Sequence, residues 1–295
     1  MDKEEISNLR EAGRIASLVV QYAKSIIKKD VPLLEIADKI EEKIIFLKAK
    51  PAFPVNLSIN EIAAHSTPSY NDDAKAYGLL KVDIGVHIDG NIADTAFSMD
   101  LENLKENKVL IEAAEKALEA ALERIKLGVK IKEIGSVIEK ACSSLKVQPI
   151  HNLSGHSIGS YLIHSGLTIP NFDNSQEIEI ESGVFAIEPF TTFGAGAVKD
   201  SKPSGIYHIE KEGNVRDSFA RQVLQFIKEE YHNLPFCSRW IYKKFGTRGL
   251  LALRQIEQAS LLHHYPQLIE KSNSKVAQAE HTVLLTKTEK IVTTK

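Results

Sequence analysis

An internal repeat is the feature of this 295-residue chain that most restricts its possible folds. Residues 30–41 and 128–139 align at a constant offset of 98, and Pro51 and Pro149 keep the same offset. Each repeat follows a longer helical pattern and itself has the 3.6-residue apolar period of an amphipathic helix. The chain is therefore expected to form two similar halves.

The first half ends in residues 79–97, whose alternating apolar residues predict a β-hairpin with Asp89-Gly90 as a type I′ turn. With that turn, Asp94 faces Gly85, and Asp83 emerges on the same face as a diagonal neighbour about 7 Å away. Two such carboxylates repel unless a cation lies between them. A pair of divalent ions about 3.5 to 4 Å apart fits this spacing, whereas solvated aspartates on an open hairpin face are the alternative.

The second half has acids at corresponding places, but its hairpin is interrupted. An offset of 105 aligns Glu188 with Asp83, and Glu280 corresponds to Asp94. Residues 200–274 are thus an expected insert, with helical patterns over 218–231 and 247–264. An ionised Glu188 among apolar neighbours is costly without a cation, and no basic residue in the local strand offers a salt bridge instead.

Composition excludes several classes of protein. The net charge is −2 without a long basic run, which argues against nucleic acid as the main partner. No apolar run approaches the ~18 residues of a membrane span, so a cytoplasmic globular protein is expected. Cys142 and Cys237 match no paired spacing and are expected to be free thiols.

Three histidines are candidates for the same chemistry. His156 lies among glycine and serine between the two acid pairs, His164 follows eight residues later, and His65 precedes the first hairpin. Four carboxylates neutralise two divalent ions, and one imidazole completes an oxygen-rich shell that suits manganese, iron(II), cobalt or zinc. Water between two such ions loses a proton near neutral pH, which predicts hydrolysis. A solvated or core histidine is the alternative for each ring.

The ordered set of acids and histidine resembles the methionine aminopeptidases of the duplicated pita-bread fold. The set is Asp83, Asp94, His156, Glu188 and Glu280. Residues 51–54, the His65 region and the long insert resemble the type 2 class found in archaea. Ala279 stands where an aromatic residue is usual before the last ligand, and its alternation away from Glu280 predicts an effect on packing only.

The resemblance implies an α+β pita-bread (creatinase/aminopeptidase) fold. Its pseudo-two-fold αα-ββ halves would surround a curved antiparallel sheet, with a catalytic domain of residues 1–199 and 275–295 and a helical insert subdomain of residues 200–274. Asp83 would chelate one metal, Asp94 and Glu280 would bridge, and His156 and Glu188 would serve the other metal.

The resemblance also implies roles outside the ligand set. Glu188 would act as general base, His65 and His164 would contact the scissile peptide, and Phe53, Ile163 and Tyr265 would line the methionine pocket. The implied activity is removal of the initiator methionine from nascent polypeptides with a small second residue, by attack of a hydroxide that bridges two metal ions. A monomer is expected, with the ribosome as a candidate partner and neither membrane nor specific nucleic acid.

Two rival functions differ in testable ways. A proline-directed (Xaa-Pro) peptidase of the same fold shares the five ligands but is not expected to have the long insert. A non-catalytic pita-bread protein that binds nucleic acid, histones or ribosomes tends to have lost the ligands, whereas this chain retains all five.

Overall fold

Two similar helix-and-sheet halves make up most of the computed structural model, which describes residues 1–295. Each half begins with two helices and continues into antiparallel strands, so the repeated pattern is present in the structure. The first half contains α1 (Lys3–Ile26), α2 (Leu33–Phe46), β1 (Lys50–Pro51), β2 (Asn56–Ile59), β3 (Ile62–Ala64), β4 (Leu79–Ile88) and β5 (Asn91–Asp100).

The second half repeats this order but is interrupted before its last strands. It contains α3 (Lys105–Arg124), α4 (Ile131–Ser144), β6 (Gln148–Pro149), β7 (Ser154–Ile158), β8 (Thr168–Pro170), β9 (Gly183–Ile187), β10 (Phe190–Thr192), β14 (Val276–Gln278), β15 (His281–Leu285) and β16 (Lys290–Val292). The interruption contains β11 (Val198–Ile209), α5 (Ser218–Tyr231), β12 (Phe236–Cys237), α6 (Ser238–Gln258) and β13 (Leu262–Glu270).

The helices of each half cover the outer face of its strands. In the first half, α1 and α2 bury an apolar stripe against β4, where Ile36 and Ile40 share a core with Val82 and Ile84. In the second half, α3 and α4 pack in the same way against β9 and β15. The opposite face of the curved sheet carries the acids together with a smaller apolar cluster that includes Phe53, Ile92 and Val184. The duplicated helix-and-strand halves of the α+β pita-bread fold expected from the sequence are confirmed.

Side-chain hydroxyls join the two halves where β5 lies beside β14 and β15. Ala96 pairs with Glu280 through backbone hydrogen bonds, while Thr282 Oγ1 accepts from Asp94 N at 2.7 Å and donates to Asp94 O at 2.8 Å. Ser98 Oγ forms the same double bridge to the backbone of Gln278. Each hydroxyl both donates and accepts, so the backbone groups at this junction are satisfied without a continuous strand ladder.

The interruption contains more sheet than the sequence indicates. The helix expected over 218–231 is present, but the second helix begins at Ser238 and ends at Gln258, and Gly246 interrupts it with a φ of +61°. Residues 262–264, expected to be helical, belong to β13, which pairs with β11 and with β3 of the first half. Residues 200–274 are therefore two helices packed on a sheet, and the boundary at residue 200 falls within β11.

A buried arginine connects α6 to the first half. Arg239 is fully buried and donates to both carboxylate oxygens of Glu41 at 2.7 Å, to Asp38 at 2.7 Å and to the carbonyl of Pro68 at 3.1 Å. The indole of Trp240 donates to the same Glu41 carboxylate at 2.8 Å. Removal of one partner from a buried ion pair leaves an uncompensated charge. This network therefore fixes the interrupting segment against α2.

No helix of this structure is both long enough and apolar enough to cross a membrane.

We expect Arg239→Ala to lower the free energy of unfolding by about 3 to 5 kcal/mol, because Glu41 would remain buried without a counter-charge. Lys243→Ala is the matched control, since Lys243 also pairs with Asp38, at 2.8 Å, but its side chain is 46% exposed. That control should cost about 1 kcal/mol or less. Urea unfolding measures both values, and equal losses would contradict the anchoring role of Arg239.

Candidate metal centre

The first acid pair lies where the hairpin register predicted it. Asp89 and Gly90 have φ of +48° and +80°, and Gly85 faces Asp94 across β4 and β5. A Cβ on Gly85 would lie 2.3 Å from the ring of Phe53. Gly85 therefore makes room for Phe53 beside the carboxylates, in addition to leaving no side chain between them.

The second acid pair has a different register. His281 pairs with Ile187 and Gln278 with Phe190, so continuous pairing places Glu280 directly opposite Glu188. Asp83, by contrast, is diagonal to Asp94. The sequence alignment at an offset of 105 therefore matches acid with acid. It differs by two residues from the alignment of the two halves that strand pairing gives.

His156 projects from β7 into the space between these pairs. Its Nε2 lies 3.7 Å from Asp94 Oδ2 and 3.5 Å from Glu188 Oε1. Ligand atoms of Asp94, His156 and Glu280 all lie within 4.8 Å of one another, and all three residues are buried. The structure thus brings together residues from β5, from β7 and from the position immediately before β15.

Burial controls the electrostatics of this cluster. It raises the pKa of Asp83 to about 7 and that of Asp94, Glu188 and Glu280 well above the usual range, and repulsion from neighbouring carboxylates adds to the rise for these last three. Burial also lowers the pKa of His156 to about 3, so the ring is neutral and has a free lone pair. No lysine or arginine forms an ion pair with any of these acids.

The donor set fits a divalent cation. The buried atoms Asp83 Oδ1, Asp94 Oδ1 and His156 Nδ1 have no hydrogen-bond partner. Unpartnered buried carboxylate oxygens are costly, and a cation would compensate both them and the repulsion between the acids. The combination of carboxylates with one imidazole suits manganese, iron, cobalt and zinc.

All ten residues singled out from the sequence lie around one cavity of about 360 Å³. Besides the acids and His156, the lining includes His65, His164, Phe53, Ile163 and Tyr265. His164 and His156 form an edge-to-face pair with ring centroids 4.4 Å apart. His65 and Tyr265 form a similar pair with ring centroids 5.1 Å apart. The cavity therefore has an acidic end and an apolar and aromatic wall.

The backbone and one hydrogen bond fix the orientation of His65. The residue has a φ of +57°, and its Nδ1 lies 3.2 Å from the carbonyl of Pro266. A carbonyl only accepts, so Nδ1 carries the proton and Nε2 is a lone-pair acceptor in the neutral ring. Burial lowers the pKa of His65 to about 4, which keeps the ring in that neutral form near pH 7.

Gln278 contacts the acid cluster, and the sequence patterns did not reveal it. Its side-chain amide donates to Glu188 at 3.4 Å and to Glu280 at 3.5 Å, and the residue is buried. One amide thus orients two carboxylates from different strands. Its position two residues before Glu280, on the same strand face, could have indicated it.

Comparison with known proteins places this geometry in a family. The sequence model of "Metallopeptidase family M24" matches residues 7–287. A methionine aminopeptidase of Pyrococcus abyssi is 47% identical over 295 residues, which cover 98% of this chain and 99% of that protein.

Solved structures share the fold at low sequence identity. A methionine aminopeptidase from Thermotoga maritima has a TM-score of 0.72 at 19% identity and covers all of this chain and 98% of its own. A thermophilic Arx1 has a TM-score of 0.84 at 14% identity, covering 99% of this chain and 91% of its own. From its sequence, its fold and its carboxylate and histidine cluster, this chain belongs to metallopeptidase family M24, whose members use divalent metal.

Proposed function

We propose that this chain is a methionine aminopeptidase that uses two divalent ions, of manganese, iron(II), cobalt or zinc, to remove the initiator methionine from nascent polypeptides with a small second residue. The observation that carries the proposal is the convergence of Asp94, His156 and Glu280 within 4.8 Å, in a cavity that Asp83 and Glu188 also line. Full-length relatives named methionine aminopeptidase support this activity over the rivals.

Five side chains would hold the ions, of which Asp94, His156 and Glu280 are buried and Asp83 and Glu188 are partly buried. Asp83 would help to hold one ion, and His156 and Glu188 would help to hold the other. Asp94 and Glu280 would contribute to both. Such ions supply Lewis-acid polarisation of a carbonyl and lower the pKa of water. Glu188 would accept the proton of the attacking water, and the Gln278 amide would keep its carboxylate oriented toward that proton.

The two histidines would share the contacts to the scissile peptide. His65, with its proton on Nδ1 toward Pro266, would use Nε2 to accept the N–H of the peptide backbone. His164 has no protein hydrogen bond that fixes its tautomer, so its ring N–H is free to donate to the developing oxyanion. Burial lowers the pKa of His164, so it would donate as a neutral imidazole.

The apolar wall would hold the methionine side chain. Phe53 and Ile163 are each 6% exposed, and Tyr265 lies opposite Ile206 on the neighbouring strand. A flexible thioether gains from contact with aromatic and apolar groups. Residues 200–274 would act as an insert subdomain that supplies this side of the cavity through β11 and β13. A monomer, a cytoplasmic location and ribosome contact stay predictions from the sequence.

Release of methionine from Met-Ala-Ser, with and without chelator and across a series of added metals, tests the proposed function. We expect turnover only with metal and little hydrolysis of Xaa-Pro peptides. A preference for Xaa-Pro would favour a proline-directed peptidase. Protein that stays inactive with every metal would favour the non-catalytic binding protein.

Asp83→Asn should reduce methionine release at least about 100-fold while the fold stays intact, because it removes charge from the cluster with little change in shape. Asp89→Asn is a matched control in the same hairpin, since Asp89 is exposed in the turn and asparagine also tolerates its positive φ. Circular dichroism checks the fold. Equal activity of the two variants would remove Asp83 from the centre.

The metal-free protein should be destabilised by its own acids. Because folding raises the pKa of the clustered carboxyl groups, the native state binds more protons than the unfolded chain, and metal-free stability should fall as pH rises from about 4 through 7. Glu280→Gln should then raise metal-free stability by about 1 to 2 kcal/mol. The same variant should show a smaller rise in melting temperature on addition of manganese than the wild type shows.

Scanning calorimetry with and without chelator measures these changes. A metal-free Glu280→Gln variant that is less stable than the metal-free wild type at pH 8 would show that repulsion among the acids does not govern the stability of the metal-free protein.

His65→Ala should lower turnover about 100-fold through misplacement of the peptide, while bound metal changes little. His151→Ala serves as control, because His151 is exposed and stacks on Phe172 away from the cavity lining. Metal analysis after dialysis, together with kcat from Met-Ala-Ser, separates the two effects. A parallel loss of metal and activity would make His65 part of the metal centre instead.

A further inference from the structure

A second group of potential metal ligands lies on β11 and β13, outside the cluster of acids. His208 and His263 are direct cross-strand partners, and Glu210 follows two residues after His208, immediately beyond the end of β11. The preceding cross-strand pair on this face is Ile206 and Tyr265, and both of these line the cavity. The group is therefore one cross-strand pair away from the cavity wall.

Both imidazoles approach the same carboxylate oxygen. His208 Nε2 lies 3.6 Å and His263 Nδ1 lies 3.8 Å from Glu210 Oε2. The two imidazole rings have centroids 5.0 Å apart. The two nitrogen–oxygen distances are slightly longer than the distances between neighbouring ligand atoms around a zinc ion. Each ligand atom there lies about 2.0 to 2.2 Å from the metal. The side chains of His208, Glu210 and His263 are 27%, 53% and 45% exposed, so small rotations can shorten these distances.

Few other interactions hold these groups in place. His208 Nδ1 has no hydrogen-bond partner, and no lysine or arginine pairs with Glu210. The two imidazoles are the only groups within ion-pair distance of Glu210. Imidazole and carboxylate are both ligands that zinc accepts in proteins.

We propose that His208, His263 and Glu210 form a separate binding site for a zinc-type divalent ion beside the cavity. Two imidazoles and one carboxylate, with water at the fourth position, make up a common zinc donor set. The prevalence of nitrogen favours zinc over manganese, which prefers oxygen. The site is thus distinct in chemistry from the acid cluster.

Occupancy would affect the cavity through Tyr265. Both rings contact it, with centroid distances of 5.2 Å from His208 and 4.8 Å from His263. A zinc ion that draws the two imidazoles together would restrict Tyr265 against the cavity. If the proposed peptidase activity is correct, excess zinc would therefore slow methionine release.

Titration of the full chain with zinc chloride in a calorimeter tests the site. Wild-type protein should bind one zinc ion more than His208→Ala or His263→Ala, whatever number the acid cluster takes. Glu210→Gln should weaken this extra ion about tenfold or more. Glu212→Gln is its matched control on the same segment, because Glu212 pairs with Lys228 rather than with the histidines, and it should leave the extra ion unchanged.

Equal zinc stoichiometry and affinity in the wild type, the histidine variants and Glu210→Gln would overturn the proposal. Glu210 is exposed, so its variant remains informative if a histidine variant fails to fold. Inhibition is measured separately, as the ratio of methionine release with and without excess zinc after loading with manganese, and His263→Ala should reduce that inhibition. Failure of the peptidase activity itself would leave the binding result standing.

Discussion

Repulsion among four clustered carboxylates, two of them buried and two partly buried, is the constraint on which the architecture of this protein depends. Asp94 and Glu280 are 3% and 2% exposed, and neither forms an ion pair with a lysine or arginine. Charges in such surroundings raise the free energy of the folded chain unless cations compensate them. The rest of the fold must therefore hold the strands together against this repulsion. Two helix-covered cores and the hydroxyl bridges of Thr282 and Ser98 do so.

The duplication explains how one chain supplies acids from both sides. The pairing of Ala96 with Glu280 places Thr95 opposite His281, so the pseudo-two-fold axis passes between β5 and β15. Asp94 and Glu280 are then symmetric neighbours across this axis. The symmetry does not extend to their partners, because Asp83 is diagonal to Asp94 while Glu188 faces Glu280 directly. The longer glutamate side chains and the single histidine thus give the two sides of the cluster different ligands.

The sequence allowed the first hairpin to be predicted in detail because the Asp89-Gly90 turn fixes its register, and every side-chain direction follows from that register. The helices were predictable within a few residues from apolar periodicity. The strands β11 and β13 were not, since Val198–Ile209 contains an exposed polar and charged run and Leu262–Glu270 lacks clear alternation. These strands are specified by pairing with each other and with β3, which is a tertiary effect that local patterns do not contain.

The tautomer of His65 and the bridging by Gln278 also depend on tertiary structure. Pro266, which orients His65, is 201 residues away, and Glu188 is 90 residues from Gln278. No local signal connects such distant positions, whereas the residue types at the acid cluster are restricted by charge alone. The type and order of the acids could therefore be recognised in the sequence, but the groups that orient them required the fold.

The acid cluster and the cavity wall on β11 and β13 are held in place by different parts of the fold. The acid cluster is built on strands packed under two pairs of helices, where a shift of register would expose the core. The opposite wall comes from β11 and β13, whose register is irregular between Asp200 and Ile206 and whose segment is fixed to the first half through Arg239. Ile206 and Tyr265 therefore line the cavity from a different sheet from the strands that position the carboxylates. The segment that interrupts the second hairpin thus supplies part of the cavity wall independently of the acid cluster.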